Sequence, residues 1–169
     1  TFHQEMIRGA FQGFHEPIHI TFALLIAIRV FEASVWTKGL ISAAGFIGLL
    51  FTPVTLSLFR NRALSMGNPC AFWQAAAALC LMLAAFSPSL LPFVACWLLA
   101  ELTRTQAGPL VVQIYSRNYP QERRGRLVSK VLVVSGMVGA VVAFGEGRLL
   151  DMDMGLYPWL FLVGAAASM

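Results

Sequence analysis

Apolar residues run through this chain in blocks of membrane length, separated by short polar or charged links. A helix needs about 20 mainly apolar residues to cross a hydrocarbon core of about 30 Å. The pattern therefore predicts an all-α polytopic membrane protein, a six-helix bundle over 17–169. Its spans fall at about 17–36, 39–59, 70–86, 90–115, 127–150 and 156–169. Ahead of them Ile7, Ala10, Phe11, Phe14 and Ile18 recur at helical spacing, with Arg8, Gln12 and His15 between. Residues 1–16 are read either as an amphipathic lead-in on the membrane surface or as a cytoplasmic extension of the first span.

Prolines and glycines refine the outline. Pro17 opens the first span, where a missing N–H costs little, and Pro53 predicts a kink or a local gap in the second. Gly108-Pro109 predicts a break or bend in the fourth. Gly45 and Gly48, and then Gly136 and Gly139, are small residues that would let helices approach closely. The link from Ser34 to Lys38 is so short that the first two helices should be antiparallel neighbours. The final run, Leu156 to Met169, has fourteen residues, which is about 21 Å of helix. A truncated sixth span, and with Thr1 at the start a fragment, are the expectation.

Composition agrees with the pattern. The chain is 58% hydrophobic and 12% charged, with a mean hydropathy of +0.72, against roughly 45–50% and about 25% in soluble domains. The net charge of +4 resides in short links between apolar runs, so the positive-inside rule accounts for it better than nucleic acid does. Arg8, Arg60, Arg62, Arg117, Arg123, Arg124, Arg126 and Lys130 fall on one side of the outlined topology, and Lys38 and Arg148 on the other. That count places the N-terminus and the polar bridge from Ser116 to Arg126 in the cytoplasm. Cys70, Cys80 and Cys96 form no C-x-x-C pair and read as packing residues, not as a disulfide framework or metal site. No cofactor is expected.

The bridge arginines have two readings, contact with anionic lipid headgroups and a gating latch that pairs with acidic residues. Both can hold at once. The charges inside the spans are fewer and more telling. Arg104 lies mid-span with Glu101 three residues earlier, on one helix face. An ionisable residue at that depth marks a substrate or ion site by default, and a neutralised structural pair is the alternative. Arg29 and Glu32 repeat the spacing near the outer end of span one, where long side chains reach the headgroups. There Arg29 either snorkels or binds an anion with its planar fork. Glu146 reads as an outer-interface residue ahead of a proton carrier, and His19 as an interfacial hydrogen-bonder ahead of a group that titrates near neutral pH. An intramembrane enzyme is not expected. His3, His15 and His19 all lie before or at the start of span one, and no Gly-x-Ser-x-Gly element occurs.

The segment Tyr119-Pro120-Gln121-Glu122-Arg123-Arg124-Gly125-Arg126 is similar to the Pro-x-x-x-Arg-Gly-x segment between spans four and five of the major facilitator superfamily. Arg104-Thr105-Gln106-Ala107-Gly108 resembles that family's Arg-x-x-Gln-Gly element with its register shifted by one. A glycine-bearing fifth span and Trp159-Leu160-Phe161 opening the sixth complete the resemblance, which covers nearly the whole chain. The link between spans two and three keeps Arg60 and Arg62 but lacks the family's aspartate, and span five lacks the Gly-Pro pair of many antiporters. The resemblance implies the N-terminal half of a secondary transporter that moves a small solute, with or without a coupling proton or ion. It implies a further six-helix half as partner, and a bacterial inner membrane as location. Arg104, Glu101, Arg29, Glu32 and Gln106 are then the substrate or coupling candidates. Arg60, Arg62, Arg123, Arg124 and Arg126 are the cytoplasmic gating candidates. The other class kept open is a small structural or partner-binding membrane protein without transport.

Overall fold

A computed structural model of the chain describes residues 2–60 and 67–168, without the side chains of 58–60. Among these residues the elements are all helical. Arg62 lies outside the described residues, and Arg60 is described by its backbone alone.

α1 (Phe2–Pro17) continues through a π-helical stretch (Ile18–Phe22) into α2 (Ala23–Arg29). The helix therefore passes through Pro17 instead of starting there. Pro17 removes one N–H, and the wider turn that follows re-pairs the backbone five residues apart, from Ala23 N–H to Ile18 O. In lipid no water would serve those groups, so the chain stays helical and adjusts locally. The first sixteen residues are not a separate surface element either, because Gly9, Gly13, His15 and Pro17 are buried. The helix stops earlier than expected, at Arg29, and Ala33 N–H returns to Ala27 O.

Ser34 caps α3 (Val35–Leu50) by accepting from Thr37 N–H, as a serine at a helix start does. The helix breaks at Phe51 and resumes as α4 (Thr52–Arg60), where Pro53 denies a donor to the preceding turn. α5 (Gly67–Ala85) and α6 (Leu90–Asn118) follow. Of the break or bend expected at Gly108-Pro109, the break is absent: α6 runs on through both residues. α7 (Gln121–Met152) leads by a 3₁₀ turn (Met154–Leu156) into α8 (Tyr157–Ser168). The polar bridge is mostly helix, since only Tyr119 and Pro120 separate α6 from α7. Tyr119 is extended, at φ −120° and ψ 132°, as the residue before a proline prefers. Arg124 Nη2 donates to Ser116 O at 3.0 Å and Tyr119 O at 3.3 Å, covering carbonyls that the end of α6 leaves open.

Three stretches are long and apolar enough to cross a membrane: Val35–Ser57, Gly67–Ala85 and Gln121–Met152. Their large side chains face outward, among them Phe46, Leu50, Phe72, Val141 and Phe144. A soluble surface does not carry such a continuous apolar coat, and this one marks a membrane protein.

Without water to drive apolar faces together, membrane helices associate through close packing. α1 and α7 run side by side in the same direction, with Gly9 against Val131 and Gly13 against Ser135 and Gly139. Gly48 of α3 lies against Leu102 and Thr105 of α6, and Gly164 of α8 meets Ile18 and Leu81. Gly136 has nothing within 4 Å of its missing Cβ, so of the glycines in α7 it is Gly139, not the Gly136–Gly139 pair, that makes the crossing. One end of the bundle is closed by rings. Phe31 contacts Phe93 at 5.0 Å, Phe93 stacks on Phe161 at 5.9 Å, and Trp97 stacks on Phe161 at 6.5 Å.

Candidate functional site

Below that aromatic end the packing changes from apolar to ionic. Glu101 of α6 is 4% exposed and has both oxygens engaged. Oε1 accepts from His19 Nδ1 at 2.5 Å and from Arg104 Nε at 3.2 Å, and Oε2 accepts from Arg104 Nη2 at 2.9 Å. Glu101 and Arg104 meet because residues three apart share a helix face. His19 reaches them from the π-helical stretch after Pro17. α3 packs close opposite the carboxylate: a Cβ on Gly45 would stand in ordinary contact, 3.6 Å from Glu101 Oε2. The His19 ring also lies 5.2 Å from Trp97 and 5.5 Å from His15, centroid to centroid.

An ion cluster this deep is weak evidence for stability. Desolvation of each ion costs several kcal/mol, and Coulomb attraction returns it only where geometry is good and lone pairs are satisfied. Here the geometry is good, so the cluster persists. Its position gives it a second significance. Arg104, His19 and Trp97 line a cavity of about 770 Å³, walled by apolar residues such as Ile41, Phe46 and Val112. That volume is within the range of small-molecule sites, which combine apolar walls with a few converging polar groups.

Arg104 also lines a smaller cavity of about 260 Å³ beside Arg8, Gln12, His15 and Gln74. Arg8 anchors that end. Its Nε donates to Glu5 at 2.9 Å, Nη1 to Gln12 at 3.2 Å and Nη2 to the Tyr115 hydroxyl. The guanidinium also stands over the Tyr115 ring, 5.7 Å from its centroid. Polar side chains of α1, α5 and α6 thus line one continuous face from His19 down to Arg8.

The remaining candidates fall elsewhere. Gln106 is buried and holds the α3–α4 break together: Nε2 donates to Gly48 O at 2.8 Å, and Oε1 accepts from Thr55 Oγ1 at 2.8 Å. It has no place on the cavity wall and acts as a clamp between helices. Arg29 and Glu32 do not repeat the Glu101–Arg104 pair. Arg29 ends α2 and is exposed, while Glu32 sits in the following link at a φ of 49°. Neither makes an ion pair among the described residues, because the helix ends before Glu32 can join its face. Arg123 and Arg126 are exposed on the first turns of α7, and Arg124 is spent on the α6 terminus. Glu146 is 5% exposed and its Oε2 has no partner among the described residues.

Sequence reasoning underrated His19 and did not single out His15, Arg8 or Tyr115. A signal was present: His15 and His19 are four residues apart and share a helix face once the helix passes through Pro17. Comparison with protein-family models, with curated proteins and with solved structures gave no match.

Proposed function

We propose that the chain forms the six-span N-terminal half of a secondary active transporter of the major facilitator type, moving a small solute by alternating access. In this reading α1/α2, α3/α4, α5, α6, α7 and α8 are the six spans, the N-terminus and the Tyr119-Pro120 link face the cytoplasm, and the membrane is a bacterial inner membrane. A second six-helix half completes the cavity. Transporters of this type place substrate and coupling-ion sites near the midplane, between halves that rock against each other.

One observation carries the proposal: the Glu101–Arg104 ion pair of α6, hydrogen-bonded to the buried His19 from a second helix, on the wall of a cavity of about 770 Å³. Charge at that depth is costly, and it is kept chiefly where it does work on a solute or ion. The sequence resemblance through Tyr119 to Arg126 adds to it. The test is uptake across a solute panel by proteoliposomes carrying the protein with its second half. Arg104→Gln is expected to abolish uptake while membrane insertion is unchanged. Wild-type rates in that variant would reduce the cluster to a packing device and return the chain to the class of structural membrane proteins.

A further inference from the structure

The hydrogen-bond inventory around Arg104 is unbalanced. Both Glu101 oxygens are already occupied, so the carboxylate has little left to offer a ligand. Donors, by contrast, are left over. Arg104 uses Nε and Nη2 on Glu101, and its Nη1 has no hydrogen bond among the described residues. Trp97 is 1% exposed and its Nε1 has no partner among the described residues; an indole nitrogen can only donate. His15 is 4% exposed and its Nδ1, a donor or an acceptor according to tautomer, is likewise unpartnered among them, on the smaller cavity that shares Arg104. Gln74 Oε1 is the acceptor left unpaired there, and its amide turns either end inward by a half rotation.

The charges are unequally placed as well. Both residues line the cavity, but the Arg104 side chain is 25% exposed and that of Glu101 is 5%, so the cation is the more accessible of the two. A ligand in that space meets a positive edge, spare N–H groups and an apolar wall of Ile20, Leu24, Ile41, Phe46 and Leu49. A buried donor left without an acceptor is costly, and a carboxylate would relieve the one on Trp97 while pairing with the more exposed Arg104 through charge-assisted bonds.

We propose that the cavity binds a small organic anion, a carboxylate on an apolar body. Its oxygens accept from Arg104 Nη1 and Trp97 Nε1, and its body lies along α3. This assignment deepens the transporter reading of the same site and rests on it.

The test uses three probes of similar size, phenylacetate, phenylacetamide and phenethylamine, titrated into the detergent-solubilised protein carrying its second half while tryptophan fluorescence is followed. Phenylacetate is expected to give a saturable change that Trp97→Phe removes and Arg104→Gln weakens about tenfold or more, as loss of a charged hydrogen bond implies. The amide should bind at least about tenfold more weakly by the same argument. Arg104→Lys, checked for helicity by circular dichroism, keeps the charge without the planar fork and should bind phenylacetate with intermediate affinity. If the amide or amine binds as tightly as the acid, or if neither Arg104 variant alters phenylacetate binding, the anion assignment is overturned and the transporter reading stands. If no probe changes the Trp97 signal, the anion assignment is overturned, and the uptake panel alone decides the transporter reading.

Discussion

Gly13→Ala is a one-carbon change whose cost follows from the α1–α7 crossing. A Cβ built on Gly13 would lie 2.9 Å from the Ser135 carbonyl carbon and 2.9 Å from its Cα, and nearer still to its carbonyl oxygen. Ordinary contact begins at 3.4 Å, so the two carbons alone require the helices to part by about 0.5 Å, and the oxygen raises this to about 1 Å. The obstacle is backbone, which no rotamer change can move aside. A gap of that size forfeits a quarter to a half of each dispersion well along the seam. Overpacking of this kind typically costs about 1–3 kcal/mol, in a setting where packing is the main attraction between helices. The assay is equilibrium unfolding in mixed detergent micelles, followed by far-ultraviolet circular dichroism. Gly136→Ala is the control, since its Cβ enters open space and helix propensity favours it by up to about 1 kcal/mol. The reasoning is refuted if Gly13→Ala unfolds at the wild-type midpoint, or if both substitutions destabilise alike.

Two further outcomes can be checked. Gln106→Leu removes the bonds to Gly48 O and Thr55 Oγ1, and leaving those buried groups unpaired should cost about 1–3 kcal/mol; a double-mutant cycle with Thr55→Val should show a coupling of about 0.5 kcal/mol or more, and zero coupling would deny the clamp. For topology, a cysteine placed by Gln121→Cys at the start of α7 should resist an impermeant maleimide added outside intact cells and react once they are opened. Labelling from outside would invert the proposed orientation.

The sequence made some of these elements plain and concealed others, for physical reasons. The start of α6 at Leu90 was readable from the turn before it, and the break near Pro53 from the missing donor. Pro17 misled, because a proline at a plausible helix start and one bridged by a π-helical turn look identical in one dimension. That single boundary hid His15 and His19 as a pair and detached Arg8 from Tyr115. The Glu101–Arg104 pair was legible because three-residue spacing is local. Its third member was not, because His19 is 82 positions away and only folding brings it near. Gln106 was read as a site residue because the segment Arg104 to Gly108 resembles a transporter element. Nothing in the local sequence says that the polar groups it must satisfy belong to another helix.

The ring knot joining Phe31, Phe93, Trp97 and Phe161 lies wholly within this one bundle. It fastens the link after α2, the head of α6 and α8 into a block that carries Glu101 and Arg104 one turn or two below. Should that block tilt, the charged pair travels with it as cargo bolted to the floor. In the proposed transport cycle, access then switches sides with no bond between the two residues ever opening.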